Sequence, residues 1–415
     1  MVIHETLSNG VRLVMEQIPH VQSVSVGIWV KAGSCDEVQK DEGISHLIEH
    51  MLFKGTETRS ARQIASDTDR IGAAANAFTG KEATCYYMKT ISSNLPKACE
   101  ILLDMFLNSA FDAEELEREK KVVFEEMKMI EDSPEDDAHD LLSAMIFKGT
   151  NLESQIIGSR ETVGAISRED IKRYMREEYT GGRVLVSLAG NFDPEEVKGI
   201  FAKALGDLPA ENKERKDTNK QYVPQFRVKV KDVEQSNLCI GVPGVKLSDP
   251  LYYPMALLAN ILGGSMSSRL FQSIREQRGL AYSVFASSHA YCNHGIFSIY
   301  AGVGHDKVEE ALTAIAAELR GLKTNFITEE ELLIAKEQMK SSYIFGSENV
   351  NSRMFAQGKN TLLLGRTRTP EEVMASIDAV TLEDLKEAAA LIWNPEQYSA
   401  VLVGDRQQDL QALLA

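Results

Sequence analysis

His46, Glu49 and His50 are the residues of this sequence whose types and spacing best suit chemistry. They lie in Ser45-His46-Leu47-Ile48-Glu49-His50-Met51-Leu52-Phe53, a stretch of helical pattern that follows Gly43 and offers Ser45 as an N-cap. Positions i and i+4 of a helix share a face, so both imidazoles can bind one ion, which is the geometry zinc favours. Glu49 is close enough to that face to hold a water on the metal as general base rather than being a ligand itself. Catalytic zinc normally takes three protein ligands, so a third must come from elsewhere.

The best source is the helical stretch Asp112 to Glu131, DAEELEREKKVVFEEMKMIE, most of whose acids are ordinary solvated surface. Periodicity sorts them. At ~100° per residue, Leu116, Val123, Met127 and Ile130 form the apolar stripe, Glu119 and Glu126 sit side by side at its edge, and Glu125 points to the far side. An edge carboxylate can reach a buried metal and Glu125 cannot.

The elements that position these residues belong to a long chain. At 415 residues it exceeds the size of one growing core, so two or more domains are expected. The 43% hydrophobic and 26% charged fractions are those of a globular protein, and no stretch reaches the roughly 18 uninterrupted apolar residues of a membrane span. No membrane partner is expected. The N-terminal MVIHETLSN lacks the pattern of a secretory signal, which makes a cytoplasmic location the expectation. A net charge of −16 repels phosphate backbones and no basic stripe offsets it, so nucleic acid is excluded as a partner class. Cys35, Cys85, Cys99, Cys239 and Cys292 are scattered, odd in number and without a C-x-x-C pair; they read as small buried hydrophobes rather than a disulfide framework or thiolate zinc site.

The two halves repeat each other. Ile166-Ser167-Arg168-Glu169-Asp170-Ile171 precedes the apolar run from Val184 to Gly190, and Val380-Thr381-Leu382-Glu383-Asp384-Leu385 precedes the run from Ser399 to Gly404. Each glycine falls 24 positions after the leading apolar residue. Phe111-Asp112-Ala113-Glu114-Glu115-Leu116 likewise resembles Phe326-Ile327-Thr328-Glu329-Glu330-Glu331-Leu332, each opening a long helical pattern. The charged segment Pro209 to Gln221 reads as the linker, dividing a domain 1–214 from a homologous domain 215–415. Strand-type runs alternate with amphipathic helices in both, so the expected class is α+β, two α/β sandwiches whose facing would make a cleft.

His-x-x-Glu-His is the inverted zinc-peptidase order, and over essentially its whole length the chain resembles the pitrilysin/insulinase family of metallopeptidases, in particular small members similar to the mitochondrial processing peptidase subunits. The resemblance implies His46, His50 and Glu126 as zinc ligands, Glu49 as the base, and Glu119 as a glutamate supporting the ligands from behind. The run Gly263-Gly264-Ser265-Met266-Ser267-Ser268-Arg269-Leu270-Phe271 leads to Arg275 and Tyr282, which match a family Arg/Tyr pair. That pair is implied to reach across the cleft, bind substrate and stabilise the oxyanion; Arg278 competes with Arg275 for the role. Asn76-Ala77-Phe78-Thr79 resembles the family's strand onto which a peptide adds as another strand, a mode that selects extended substrates and reads their side chains weakly.

The C-terminal copy has no histidines near Leu257 to Leu262, and Ile334 and Ser341 stand where Glu119 and Glu126 would map. One zinc and one active site per chain follow. Small relatives associate in pairs as a clamshell, which implies a dimer, of identical chains in the reading preferred here. The expected function is a zinc-dependent endopeptidase acting on unfolded or short peptides. The rival is a non-catalytic structural or regulatory subunit similar to the core proteins of the respiratory cytochrome complex, against which the intact His46, Glu49, His50 and Glu126 argue. His4, His20, His139, His289, His294 and His305 read as surface or core residues.

Overall fold

A computed structural model of the chain describes residues 2–211, 218 and 220–414. It contains two sheets of mixed direction. The first is built from β1 (Val2–Thr6), β2 (Arg12–Gln17), β3 (Ser23–Val30), β4 (Ala74–Thr79), β5 (Thr84–Ile91) and β6 (Val184–Gly190), in the order β1-β2-β6-β3-β5-β4. The second uses β7 (Phe226–Val230), β8 (Ser236–Pro243), β9 (Ala281–Ala290), β10 (Gly295–Val303) and β11 (Ser399–Gly404), in the order β7-β11-β8-β10-β9. The expected α+β class is borne out. Only β2 with β6 and β7 with β11 run parallel.

Strand composition accounts for strand position. β6, VLVSLAG, is buried at every residue and lies inside the first sheet, whereas β4, AANAFT, is half exposed and lies at its edge. Alternate residues then serve opposite faces. On one face Trp29, Cys85, Leu185 and Val14 pack under the helix Val350–Leu364; on the other Tyr86 packs edge-on against Phe106 of the helix Leu95–Asn108. The second sheet is built in the same way. The ring of His139, on the helix Pro134–Ile146, stacks on Phe285 and Tyr300, while the alternate residues Leu238, Ile240, Ile299 and Ala301 join the core that holds Leu258 and Leu262.

Two compact units result, and neither is one continuous half of the chain. The first comprises Met1–Met127, Ser154–Lys216 and Ile344–Arg368, and the second comprises Lys128–Glu153, Asp217–Tyr343 and Thr369–Ala415. Each half thus lends the other a helix: Val350–Leu364 goes to the first unit and Pro134–Ile146 to the second. The junction read at 214/215 lies outside the described residues.

The internal repeat is visible in matching pieces. Ser167 and Thr381 cap the helices Arg168–Glu178 and Leu382–Ala390 through the same reciprocal pair of bonds, with Asp170 and Asp384 as partners. Each helix leads into an interior strand, β6 or β11. Cys35, Cys85, Cys99 and Cys239 are buried, as expected, and Cys292 is half-buried. Among the described residues no helix is long and apolar enough to cross a membrane.

The Val350–Leu364 helix lies close on its sheet because small residues permit it. A Cβ on Gly358 would stand 2.6 Å from Cε2 of Trp29 and 2.9 Å from Oγ of Ser187, which itself accepts the indole N–H. Gly358→Val should therefore destabilise the fold by about 1–3 kcal/mol through overpacking, read as a lowered urea midpoint.

Candidate metal centre

His46, Glu49 and His50 occupy the helix Ile44–Leu52, whose Ile44, Leu47, Ile48, Met51 and Leu52 are fully buried. This apolar majority fixes which way the helix rolls, and the three polar side chains emerge together at its half-buried margin. The imidazole centroids are 4.7 Å apart. The helix does not begin as the sequence suggested. Ser45 lies inside its first turn, Gly43 is the N-cap with φ 91°, and the capping acceptors come from Glu37.

The acidic helix Ala113–Asp132 buries Leu116, Val123 and Met127 and leaves Ile130 half-buried, close to the stripe read from its period. Glu119 and Glu126 therefore turn toward the histidines, and Glu125 is exposed. Oε2 of Glu126 is 3.4 Å from Nε2 of His50 and 3.8 Å from Nε2 of His46. Oε2 of Glu119 lies 3.1 Å from Nδ1 of His50, and its Oε1 lies 2.6 Å from Nζ of Lys54. Lys54 was not anticipated; it lies two residues past the end of the Ile44–Leu52 helix, where no helical face could have singled it out.

These contacts test whether a metal fits. With Lys54 on its other oxygen, Glu119 accepts from Nδ1 of His50 and so fixes the ring with Nε2 turned to Glu126. That nitrogen and a Glu126 oxygen face each other at 3.4 Å, two donor atoms placed to share one cation when the ring is neutral. The nitrogen and oxygen ligand atoms of His46, His50 and Glu126 all lie within 4.8 Å of one another, and this is the one such cluster among the described residues. Two imidazoles and one carboxylate are a donor set that suits zinc with a position left open. The residues fit the ion.

The surroundings set the protonation states. Burial, with the neighbouring His50, pushes His46 down from 6.5 to about 4, so it stays neutral and able to ligate. Its Nδ1 is buried with no hydrogen-bond partner among the described residues. Burial pushes the Glu49 carboxyl up, with nearby Glu126 adding to this, while the Thr79 hydrogen bond and His50 work against it. An upward shift brings a carboxylate closer to the working range of a general base.

Thr79 connects this centre to a sheet edge. Its hydroxyl donates to Oε2 of Glu49 at 2.6 Å, and it ends β4, which pairs only with β5. Asn76, Ala77, Phe78 and Thr79 thus all lie on an open strand edge beside the metal helix. Arg275 and Tyr282 belong to the second unit. Tyr282 is 78% exposed, so it is no core tyrosine, and the Arg275 guanidinium lies over its ring at 5.2 Å. Arg275, in the π-helical turn Phe271–Gln277, also covers Phe271 at 4.8 Å.

Comparison with known proteins matches residues 12–160 to the model of the insulinase family, peptidase family M16, and residues 165–339 to the model of the peptidase M16 inactive domain. The chain is 41% identical over 403 residues to an uncharacterized zinc protease of Bacillus subtilis (strain 168), covering 97% of this chain and 98% of that protein. The chain belongs to the insulinase family. An uncharacterized zinc protease of Streptomyces coelicolor is 35% identical over 392 residues, which is 92% of this chain and 85% of that one. Among solved structures, a protease from Helicobacter pylori shares the fold at TM-score 0.89 and 22% identity, covering 97% of this chain and 99% of its own. A chain of complex III from Candida albicans shares it at TM-score 0.86 and 21% identity over the full length of both. At such identities these two speak for the fold alone.

Membership of M16 bears out the resemblance read from the residues, and relatives named zinc proteases place the chain in a zinc-protease family. The inactive-domain match, residues 165–339, includes Ile334, which stands where the first half has Glu119.

Glu119→Gln removes the charge that holds Lys54 and orients His50. It should weaken zinc binding on the order of 10- to 100-fold in competition with a chelator. Acidification tests the other histidine. Because the folded-state value of His46 lies below its unfolded one, the metal-free fold binds fewer protons than the unfolded chain between pH 6.5 and about 4. Its contribution is intact above 6.5 and is lost as pH falls through that window. The melting temperature of metal-free wild type should drop more steeply there than that of His46→Gln.

Proposed function

We propose that the chain is a zinc-dependent endopeptidase that hydrolyses unfolded or short peptides, with one zinc per chain held by His46, His50 and Glu126. The observation that carries this reading is the Thr79–Glu49 hydrogen bond of 2.6 Å, which joins an open strand edge to the acid beside the ligand cluster. A peptide added to β4 as a further strand satisfies the unpaired backbone groups of that edge, and its scissile bond is presented to Glu49. This recognises an extended main chain more than particular side chains.

Zinc, when bound, supplies Lewis-acid polarisation of the attacking water and of the scissile carbonyl. Glu49 takes the proton from the water as it attacks and passes it to the leaving amine, so peptide hydrolysis needs no covalent intermediate. Glu119 keeps His50 in the tautomer that ligates. Arg275 and Tyr282 are assigned to substrate binding and oxyanion stabilisation; an exposed tyrosine under an arginine supports that use better than a packing role.

The same reading has the enzyme in the cytoplasm, consistent with scattered cysteines and a strongly acidic surface, and working as a pair of identical chains. The rival reading is a structural subunit, as the complex III likeness in fold invites, and the intact ligand set argues against it.

Zinc content per chain and cleavage of an internally quenched peptide, measured for wild type and Glu49→Gln, decide between them. The expected result is about one zinc per chain in both proteins with kcat lowered roughly 10²- to 10⁴-fold in the variant. Wild type that neither binds zinc nor cleaves after metal is supplied would establish the structural-subunit reading instead.

A further inference from the structure

The helix that carries the ligands is unusually dependent on help from outside itself. It is nine residues long, too short to persist alone in water, and its N-cap is a glycine with no side chain to offer. The first N–H groups of any helix need acceptors, and a buried helix start without them is costly. Here one side chain meets the need. Oε2 of Glu37 accepts from the N–H of Gly43 at 2.8 Å, and Oε1 accepts from the N–H of Ser45 at 2.9 Å. Both oxygens of a half-buried carboxylate are thus spent on the backbone immediately before His46, where the helix dipole also favours negative charge.

Glu37 is in turn held by what precedes it. Asp36 accepts from the N–H of Gly33 at 3.0 Å and pairs with Arg183, whose guanidinium also binds Glu178; all three charged side chains are buried. The far end of the loop is fastened as firmly. Arg173 donates to both oxygens of Asp41 at 2.9 Å, and the Ser154 hydroxyl donates to Oε1 of Glu42 at 2.8 Å. Gly43 itself is enclosed, since a Cβ there would meet Cγ2 of Val163 at 2.7 Å and the Ile157 carbonyl at 2.8 Å. Ser45, freed from capping, places its hydroxyl 2.9 Å from that of Tyr174.

We propose that Glu37 is a positioning residue for the metal site, closing the loop onto the first turn of the Ile44–Leu52 helix and so setting the register at which His46, Glu49 and His50 meet Glu126. A helix start that rotates or frays moves His46 first, because it is the third residue of the helix. A misplacement of about 1 Å in such a constellation costs on the order of 10²-fold in rate. Glu37 touches neither ligand nor substrate, and it acts only through the backbone it holds. This inference rests on the zinc-peptidase reading, and its test is arranged so that the two fail separately.

The test compares wild type with Glu37→Gln, Glu37→Asp and Thr381→Ala. Glutamine offers one oxygen where two are needed and points an amide N–H₂ at a backbone donor. Aspartate keeps both acceptors on a shorter stem and serves if the glutamine variant does not fold. Thr381 caps the helix Leu382–Ala390 of the second unit, so its removal is a loss of a helix cap away from the ligands. Zinc affinity is measured by chelator competition, and the visible spectrum of the cobalt-substituted protein reports ligand geometry. In Glu37→Gln zinc should bind on the order of 10- to 100-fold more weakly. The cobalt bands should shift, and kcat for a quenched peptide should fall with KM little changed. Glu37→Asp should show a smaller change of the same kind, and Thr381→Ala should lose thermal stability with unchanged affinity and spectrum. Wild-type affinity and spectrum in either folded Glu37 variant overturn the proposal, as does an equal loss of affinity in Thr381→Ala. A wild type that binds zinc and cleaves peptide alongside such a result leaves the peptidase reading standing, whereas a wild type that does neither removes both.

Discussion

Glu119 holds Nδ1 of His50, so its Nε2 faces the Glu126 carboxylate 3.4 Å away, and His46 Nε2 stands 3.8 Å from the same oxygen. Much of the first unit serves to keep these three donor atoms together. Two helices carry the groups, one short and apolar, the other long and acidic. The short helix is positioned by its buried residues and by Glu37 at its start, and the long one by a stripe of Leu116, Val123 and Met127. Lys54 anchors Glu119 from the other side. Each link is an ordinary contact, and the convergence of two imidazoles and a carboxylate is what makes the set chemically unusual.

The second constraint is the open edge of the first sheet. β4 is composed of small and half-exposed residues that would be a liability on a long free edge, yet it stops at Thr79 against Glu49. The edge thus ends on a carboxylate whose protonation is tuned upward by burial.

The two units show how a duplicated sequence can diverge without losing its frame. The caps at Ser167 and Thr381 and the fully buried interior strands β6 and β11 are equivalent in the two. Ile334 and Ser341 stand where Glu119 and Glu126 lie in the first half, and Ile334 is exposed. The exchanged helices tie each unit to both halves of the chain, so neither half covers its own sheet completely.

The local chemistry was legible in the sequence. A spacing of i, i+3, i+4 on a helix puts His46, Glu49 and His50 on one margin, and the period of the acidic stretch singles out Glu119 and Glu126 from many neighbouring acids, because both inferences need only the geometry of a single helix. The alternation of strands and helices and the repeat of capping signals were enough for the α+β class and for two related halves. Three things were decided only by tertiary structure. Glu37 caps the metal helix in place of Ser45 because chain that loops back reaches the free N–H groups first and Tyr174 takes the serine hydroxyl. Lys54 completes the Glu119 bridge because two helices meet there. The Val350–Leu364 helix covers the sheet of the first unit because an apolar face records that a helix is buried but not against which sheet, and the fit of Gly358 to Trp29 settles that choice.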